Sequence, residues 1–372
     1  MPKSTTTCYF AGSNTLYGFY SLFSYITTEK TKRFVIIKGG PGTGKSTIMQ
    51  KISRQAQDAG FDVELFYCSS DPDSLDGLSI PDLGFAIVDG TAPHIIDPQV
   101  PGAYDEIFNL GQCLDVVKLR AHKDTIQQLS LQKKNWFTQA YQYLKEAGTV
   151  LEKLRWLTGQ AMDYQAVNRM TQKLLSELTA ALPPPQAKPC ERRLFAGAVT
   201  PAGFINHYPS ILQKAKRFYL LTGEHGSGKS FLLERIRQTI KLTGHSLEVF
   251  CCPLDPRRID AIIIPVLKTA FVKVTYPHTF ALEPTHRIEE QTTIALSRYA
   301  KASLLRHYAA EREENTERLW YLLGKAVEML GGAKRKHGQL EKYYLDAMDY
   351  SHSAALQDKL LAEIFHGQKL IN

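Results

Sequence analysis

The sequence has few cysteines and no long apolar run, and both scarcities restrict the kind of protein it encodes. Six cysteines are scattered over 372 residues without a C-x-x-C pair, which argues against a disulfide framework and against a metal site built on thiols. No apolar run reaches the ~18 residues that a bilayer span requires. The segment Met1–Cys8 also lacks an apolar stretch of signal-peptide length, so we expect a cytoplasmic location.

Two glycine-rich segments stand out in what is present, and both fit the pattern G-x-x-x-x-G-K-[ST]. The first reads Gly39-Gly40-Pro41-Gly42-Thr43-Gly44-Lys45-Ser46 and is followed by Thr47. The second reads Gly223-Glu224-His225-Gly226-Ser227-Gly228-Lys229-Ser230 and is followed by Phe231. Phosphate oxygens need close approach by backbone N–H groups, and glycine permits this because it has no side chain. The lysine would contact the β- and γ-phosphates and the final serine would coordinate Mg²⁺, so the segments predict two nucleotide-binding loops.

The surroundings of both segments match what such a loop requires. Apolar runs at residues 34–37 and 218–221 come just before the loops, as is typical of buried parallel strands. After each loop, apolar residues recur at every fourth position, which places one apolar stripe on a helix. The stripes are formed by Ile48, Ile52 and Ala56 and by Leu232, Ile236 and Ile240. For the first half we predict a strand over 33–38, a helix over about 45–59 and a strand over about 62–67.

The two loops belong to a duplication that covers nearly the whole chain. The offset between them is 223 − 39 = 184 residues, and it continues past the loops without a gap. Matching pairs are Cys68 and Cys252, Asp71 and Asp255, Asp76 and Asp260, and His94 and His278. The prolines at 183–185 cannot continue a helix and would form an extended spacer. We therefore predict two α/β domains, 1–184 and 185–372, each with a parallel sheet flanked by helices.

A carboxylate and a lysine at matching positions distinguish the two halves. The apolar run Phe85–Val88 ends in Asp89, where an aspartate would hold Mg²⁺ or its water together with Ser46. The matching residue of the second half is Lys273, whose ammonium has no lone pair to offer a metal, although Ser230 remains an expected metal ligand. We expect Lys45 and Asp89 to act in catalysis, and the second loop to bind nucleotide with slow or no turnover.

Asp71 and His94 are further candidate catalytic residues, because both halves retain them. Asp71 follows a predicted strand on the side of a parallel sheet where ligands bind, so it could face substrate, Mg²⁺ or the attacking water, although Asp-Pro also begins turns. His94 could sense the γ-phosphate or assist proton transfer, or it could hydrogen-bond a neighbouring loop. The sequence does not identify an arginine that completes the site. The candidates are Arg192, Arg193, Arg257 and Arg258.

Two regions outside the loops are predicted to be helical. The aromatic-rich segment Leu16–Ile26 predicts a short amphipathic helix at the sheet edge, with Thr15 and Gly18 near the nucleotide as the alternative. The regions of about 112–182 and about 287–370 are polar with spaced apolar residues and few breakers, which predicts two or three helices in each. These helical extensions could form a lid, a dimerisation arm or a partner surface.

With these features the chain resembles the P-loop NTPase superfamily, and its whole-length pattern resembles a poorly characterised bacterial family of tandem P-loop ATP-binding proteins. The second resemblance rests on the stretch Asp89-Gly90-Thr91-Ala92-Pro93-His94 and on the Phe-Ala-Gly segments at 10–12 and 195–197. It implies two tandem P-loop NTPase domains with ATP and Mg²⁺ as cofactors. The sequence lacks the N-K-x-D motif that recognises guanine, which favours ATP over GTP. It also lacks the Leu-Ser-Gly-Gly-Gln signature of transporter ATPases, which argues against that class.

Three functions remain open at this stage. The preferred one is a Mg²⁺-dependent ATPase with an active first site and a divergent, regulatory second site. The alternatives are a small-molecule or nucleotide kinase and a nucleotide-gated binding scaffold. A net charge of +8 is modest for 372 residues, so nucleic acid is a weaker candidate partner than another macromolecule bound by the helical extensions.

Overall fold

Strands and helices alternate around the two glycine-rich segments in the order that the sequence predicts. The computed structural model describes residues 4–185, 188–275 and 288–366. Within these ranges the strands are β1 (Thr6–Phe10), β2 (Gly12–Thr15), β3 (Gly18–Ser21), β4 (Arg33–Lys38), β5 (Val63–Tyr67), β6 (Leu75–Ile80), β7 (Phe85–Asp89), β8 (Asp105–Asn109), β9 (Glu191–Phe195), β10 (Gly197–Thr200), β11 (Gly203–Asn206), β12 (Arg217–Thr222), β13 (Leu247–Cys251), β14 (Ile259–Ile264), β15 (Thr269–Lys273) and β16 (Glu290–Ala295). The helices are α1 (Lys45–Asp58), α2 (Val116–Ala121), α3 (Lys123–Ala161), α4 (Tyr164–Ala181), α5 (Tyr208–Leu212), α6 (Lys229–Leu242), α7 (Ala302–His307), α8 (Ala309–Asp346) and α9 (Tyr350–His366). The protein is therefore of the α/β class.

The chain divides into two compact units that do not follow its order. Unit 1 comprises Met1–Ala11, Ser21–Gln139 and Glu328–Asn372, and unit 2 comprises Gly12–Tyr20 and Ala140–Val327. Each unit therefore combines the loop-bearing part of one repeat with the terminal helices of the other. The predicted division after residue 184 describes the repeats and not these units, and it stays a prediction.

The sheet of unit 1 is mixed, with the strand order β8-β4-β7-β6-β5-β1. β4 pairs in parallel with β7 and β8, and β1 pairs in parallel with β5. The predicted parallel sheet is therefore observed in part, because β6 runs antiparallel to both of its neighbours. β6 is buried along its whole length although it contains Asp76, Gly77 and Ser79. Because these polar and small residues interrupt the apolar pattern, the sequence did not predict this strand.

Helices from opposite ends of the chain pack on the sheet of unit 1. The helix predicted over about 45–59 is observed as α1, and α9 joins it in the same apolar cluster. The helical residues of this cluster are Ile48, Met49, Ile52, Ala56, Leu360 and Ile364. Burying one such aliphatic side chain is worth ~1.5–3 kcal/mol, so α9 belongs to the core of unit 1 although it comes from the second repeat.

Unit 2 repeats this arrangement with the strand order β16-β12-β15-β14-β13-β9. β12 pairs in parallel with β15 and β16, and β13 with β9, while β14 runs antiparallel to β13 and β15. The core of unit 2 takes its helical residues from α4 and α6. They are Val167, Leu174, Leu175, Leu178, Leu232, Leu233, Ile236 and Ile240.

The prediction of a helix over Leu16–Ile26 is wrong. Within the segment, Gly18–Ser21 forms β3, which pairs with the preceding β2, and a short 3₁₀ helix follows at Phe23–Tyr25. Gly18 has φ 90°, which favours glycine and ends a helix, and Thr15 Oγ1 donates to the Gly18 carbonyl at 2.8 Å. The second repeat builds the same turn, because Thr200 Oγ1 donates to the Gly203 carbonyl at 2.8 Å. The retained threonine and glycine are thus explained by a turn.

Helices form most of both predicted extensions within the described residues, but β16 (Glu290–Ala295) lies inside the second range of about 287–370, where the prediction of helix is wrong. The first consists of α2, α3 and α4, and the second of α7, α8 and α9. α3 has 39 residues and α8 has 38. Among the helices that the structure describes, none combines the length and the apolar character that a membrane crossing demands.

Candidate functional site

The first loop connects β4 to α1 and is shaped by local hydrogen bonds. Gly44 adopts a left-handed conformation with φ 86°, so the chain turns directly into α1. Thr43 Oγ1 donates to the Gly40 carbonyl at 2.8 Å. Lys45 is the first residue of α1, and its Nζ donates to the same carbonyl at 2.8 Å while lying 3.7 Å from Asp89 Oδ2. The lysine is therefore held at the loop with a carboxylate beside it.

Three residues with metal-ligand chemistry meet where β7 ends. Ligand atoms of Asp76, Asp89 and His94 lie within 4.8 Å of one another. Asp76 is only 5% exposed, and burial followed by the charge of Asp89 raises its pKa to about 8. A divalent cation would relieve the repulsion between the two carboxylates. Carboxylates are ligands that Mg²⁺ prefers, whereas imidazole is not, so the two aspartates fit the expected metal and His94 would lie beside it.

Hydrogen bonds orient the two predicted metal ligands at the first loop. Asp89 Oδ1 accepts from the Thr91 N–H at 2.9 Å and from the Thr91 hydroxyl at 2.6 Å. Ser46 is the second residue of α1, and its Oγ accepts from the Leu75 N–H at 2.9 Å. Because Leu75 directly precedes Asp76 on β6, this bond fixes the serine next to the strand that contributes the second aspartate.

His94 is buried, and its ring stacks on Phe23 with the centroids 4.2 Å apart. Burial lowers the pKa of His94 to about 4, so the ring is neutral near pH 7. A neutral ring can exchange a proton but provides no positive charge to a phosphate. The structure places His94 beside Asp89, and its predicted role in sensing or proton transfer stays a prediction. The matching His278 lies outside the described residues.

Asp71 makes an ion pair with the second repeat's helical extension. Its Oδ1 lies 2.7 Å from Lys334 Nζ on α8, and its Oδ2 accepts from the Ser74 hydroxyl at 2.6 Å. Burial raises the pKa of Asp71, but the bonds from Lys334 and Ser74 outweigh burial and the pKa is lowered. A carboxylate of lowered pKa is a poor proton acceptor near pH 7. Its predicted role toward substrate or metal stays a prediction.

The end of α8 approaches the glycines of the first loop. A Cβ atom at Gly40 would lie 2.3 Å from the Tyr344 ring, and one at Gly42 would lie 2.7 Å from Glu341 Cγ. Real Cβ contacts are not that short, so only glycine allows the helix to pack here. The loop glycines therefore have a packing role in addition to the predicted approach to phosphate.

The second loop connects β12 to α6 in the same way. Gly228 has φ 101° and precedes α6, as Gly44 precedes α1. Lys229 Nζ donates to the Gly223 carbonyl and, at 2.7 Å, to the Glu224 carbonyl. Burial, followed by the charge of Lys273, lowers the pKa of Lys229 to about 7. An anion at this loop would stabilise the protonated form of the lysine.

Lys273 has a different environment from its counterpart Asp89. Its Nζ donates to Ser230 Oγ at 2.8 Å and to Asp260 Oδ1 at 2.8 Å. Asp260 matches Asp76, so the second unit has a lysine–aspartate ion pair where the first has two aspartates. Ser230 therefore accepts a hydrogen bond from an ammonium. The role of Ser230 as a metal ligand stays a prediction, and the hydrogen bond from Lys273 argues against it.

A cavity of about 440 Å³ lies at the second loop. Basic side chains contribute to its wall, and the apolar side chains Leu319 and Trp320 of α8 contribute another part. The basic residues are Arg155, Lys229, Arg258 and Lys273. Tyr164 of α4 also lines the cavity, and its hydroxyl donates to the Gly226 carbonyl at 3.2 Å. The cavity combines positive charge with an apolar surface, which suits a phosphorylated ligand with a ring system.

Asp255, the counterpart of Asp71, lies among three arginines. Its carboxylate is 3.3 Å from Arg155, 3.1 Å from Arg258 and 3.3 Å from Arg257. Arg257 and Arg258 were candidates from the sequence, whereas Arg155 on α3 was not. No motif surrounds Arg155, and only the packing of α3 in unit 2 brings it to this site.

The remaining predicted site residues belong to the two loops, to the first turns of α1 and α6, and to β9. Those of the first loop and the start of α1 are Gly39, Gly40, Pro41, Gly42, Thr43, Gly44, Lys45, Ser46 and Thr47. Those of the second loop and the start of α6 are Gly223, Glu224, His225, Gly226, Ser227, Gly228, Lys229, Ser230 and Phe231. Arg192 and Arg193 lie on β9. Nucleotide binding by the two loops stays a prediction.

Sequence reasoning missed Asp76 and Asp260 as site residues. Both halves retain this aspartate, and in each half it is the second residue of a strand that is buried along its whole length. A carboxylate in such a strand needs a partner, because burying an unpaired charge is costly. That combination of retention and apolar neighbours is the signal that could have identified both residues.

Comparison with known proteins gives limited additional information. A family model described as "Nephrocystin 3, N-terminal" matches residues 21–79, a span that contains β4, the first loop and α1. The match covers a small part of the chain and gives weak support to the P-loop NTPase class, without showing a family. The chain matches no curated protein and no solved structure.

Proposed function

We propose that the chain binds ATP at both loops and is a Mg²⁺-dependent ATPase whose first site turns over nucleotide and whose second site is regulatory. The observation that carries this proposal is the difference in charge behind the two loops. Asp76 and Asp89 cluster beside Lys45, whereas Lys273 lies within hydrogen-bonding distance of Ser230 at the second loop. Phosphoryl transfer in sites of this kind depends on a divalent cation, and within the part of the chain that the structure describes the cluster of acids that could attract one lies at the first loop.

Each residue at the first loop has a role that follows from its position. Lys45 and the N–H groups of the loop would stabilise negative charge on the γ-phosphoryl group. Ser46, Asp76 and Asp89 are the residues that would hold Mg²⁺, which when bound supplies positive charge to the transferred group. Thr91 donates two hydrogen bonds to Asp89, so this carboxylate is oriented before any ligand binds.

The packing of α8 supports a regulatory use of the helical extensions. Tyr344 and Glu341 lie against Gly40 and Gly42, so a change in the conformation of the loop would be transmitted directly to the helix. A nucleotide can shift the helix only by its difference in affinity for two positions of the loop. A separate observation argues against a kinase that uses Asp71 as its base: Asp71 is ion-paired with Lys334 and its pKa is lowered. An ATPase or switch is therefore favoured over such a kinase.

The test is to measure ATP turnover and the stoichiometry of bound ATP for the parent protein, Lys45→Ala and Lys229→Ala. Arg54→Ala is the matched control, because it removes an exposed cation from α1 outside the loop. We expect Lys45→Ala to lower turnover by about 10²-fold or more, since it removes the cation that stabilises the transferred phosphoryl group. Lys229→Ala should lose one bound ATP and keep most of the turnover.

Three other results would change the proposal. Equal loss of turnover in both variants would contradict the asymmetry between the sites. Binding of ATP by the parent protein without any turnover would favour a nucleotide-gated scaffold. Slow hydrolysis that a small-molecule acceptor accelerates, with stoichiometric transfer of phosphate, would favour a kinase.

A further inference from the structure

The two loops have equivalent backbone surroundings, but the side chain at one equivalent position differs in charge, and this changes the ion that each site can bind. Asp89 ends β7, opposite Ile37 of β4, and Lys273 ends β15 at the corresponding place, opposite Leu221 of β12. The two side chains therefore begin at equivalent points relative to their loops. A difference in side-chain chemistry, rather than a shift of the strand, separates the two sites.

The ammonium of Lys273 lies where oxygen ligands would otherwise meet a metal. It donates to Ser230 Oγ and to Asp260 Oδ1, both at 2.8 Å. Lys273 is 7% exposed and Asp260 is 2% exposed, so protein surrounds the pair. Mg²⁺ needs oxygen ligands at about 2.0–2.1 Å in near-octahedral geometry, and a lysine has no lone pair to supply one. The residues at the second loop therefore do not fit Mg²⁺.

The same residues fit an anion. Lys229 and Lys273 both line the cavity at the second loop, and Arg155 and Arg258 line it as well. Asp260 is ion-paired with Lys273, and Asp255 is ion-paired with both arginines. Glu224, which also lines the cavity, is ion-paired with Arg312. The two acids that line the cavity, Glu224 and Asp260, therefore have basic partners. Among the described residues, Lys229 Nζ donates to the Gly223 and Glu224 carbonyls and to the Ser227 hydroxyl, which are neutral oxygens, so its charge can interact with a phosphate.

From this geometry we propose that the second loop binds a nucleoside polyphosphate without a divalent cation, with the Lys273 ammonium in place of the metal. The inference rests on the proposed function, because it assumes that the second loop binds ATP. It adds the ionic form of the ligand: the free polyphosphate is bound, and its negative charge is balanced by protein cations. A site of this kind retains its nucleotide when Mg²⁺ is scarce, whereas the first site does not.

The test is equilibrium titration of the full chain with ATP, in EDTA and in excess Mg²⁺. Lys45→Ala reports on the second loop, and Lys229→Ala reports on the first. We expect Lys45→Ala to bind one ATP more tightly in EDTA than in excess Mg²⁺, because Mg²⁺ complexes ATP and lowers the concentration of the free polyphosphate that this loop would bind. Lys229→Ala should bind ATP at least about tenfold more weakly in EDTA, a difference of about 1.4 kcal/mol.

Substitutions of Lys273, made in the Lys45→Ala background, test whether this lysine is responsible. Lys273→Met keeps much of the side-chain length and removes the charge, and it should weaken ATP binding in EDTA by about tenfold or more. Lys273→Asp should weaken it further in EDTA and regain affinity when Mg²⁺ is added. Lys268→Met removes an exposed lysine from the same unit and should change neither titration. Thermal melting of each variant verifies that it is folded at the titration temperature.

The outcomes separate this inference from the proposed function. If Lys45→Ala binds ATP only with Mg²⁺, the inference is wrong and the proposed function stands. If the folded Lys45→Ala/Lys273→Met variant binds ATP in EDTA as tightly as Lys45→Ala, the assignment to Lys273 is wrong. If Lys45→Ala binds no ATP in either solution, ATP binding by the second loop is wrong and the inference is wrong with it.

Discussion

At the scale of single residues, the neighbour of a buried carboxylate decides which ion a site can accept. Asp76 has Asp89 beside it, and burial together with this second carboxylate raises its pKa to about 8. Asp260 occupies the matching position, and the ammonium of Lys273 lies 2.8 Å from it. One change along the sequence, from aspartate to lysine, therefore replaces a site that attracts a cation with a site that already contains one.

Burial also determines how a single histidine affects stability. Burial lowers the pKa of His207, between β11 and α5, to about 4 from its usual value near 6.5. Between these values the unfolded chain binds more protons than the folded one, so the stability contribution is complete above about pH 6.5 and is lost as the pH falls toward 4. We expect the free energy of unfolding of the parent to fall more than that of His207→Gln between pH 7 and pH 5, by on the order of 2 kcal/mol.

Urea unfolding at the two pH values measures this difference. As a control for the substitution itself, His352→Gln replaces an exposed histidine of α9. A parallel loss of stability in the parent and in His207→Gln would show that His207 gains its proton in the folded state without a penalty.

At the scale of elements, the helical extension presses on the first loop at a position where only glycine fits. A Cβ atom at Gly40 would meet the ring of the half-buried Tyr344 at 2.3 Å, so the ring or the loop would have to shift to make room for it. Gly40→Ala should therefore destabilise unit 1 by about 1–3 kcal/mol, the usual cost of overpacking. Chemical denaturation of the parent and the variant gives this difference.

A double-mutant cycle assigns the cost to the helix. In a Tyr344→Ala background the added methyl group has room, so Gly40→Ala should cost at least about 1 kcal/mol less there than in the parent. The same cost in both backgrounds would mean that the penalty arises within the loop. Gly338→Ala, on the same helix with open space around its Cβ position, should be neutral or slightly stabilising.

The sequence predicted the elements next to the loops well, because each is encoded by its own residues. β4, α1 and β5 lie within two residues of their predicted bounds. The prediction failed over Leu16–Ile26, where apolar spacing suggested a helix but a glycine with positive φ makes a turn. It also missed β6, because Asp76 and Gly77 break the apolar pattern and only tertiary contacts bury them.

Some residues of the candidate site could be predicted from the sequence and others could not. The loop residues, Asp89 and the contrast with Lys273 follow from motifs and from comparing the two halves. The approach of Tyr344 and Arg155 to the loops could not be predicted, because it depends on which core each helical extension packs against. Periodicity identifies an apolar face of a helix but not the surface that covers it.

At the scale of the whole molecule, each compact unit needs helices from the other repeat. α9, from the second repeat, contributes Leu360 and Ile364 to the core of unit 1. α4, from the first repeat, contributes Val167, Leu174, Leu175 and Leu178 to the core of unit 2. Four such side chains are worth roughly 6–12 kcal/mol of burial, which is comparable to the whole stability of a typical domain.

This arrangement predicts that the two repeats cannot fold separately. Fragments 1–184 and 185–372 should each resist purification as folded proteins, because each lacks the helices that complete its core. Produced together, they should form a one-to-one complex that melts cooperatively. The fragment 140–327 has the same length as 185–372, since 327 − 140 + 1 and 372 − 185 + 1 are both 188, but it contains most of unit 2. It should therefore be the more resistant of the two to limited proteolysis. A cooperative melt for 185–372 alone, with none for 140–327, would show that the repeats and not the interleaved units are the folding units.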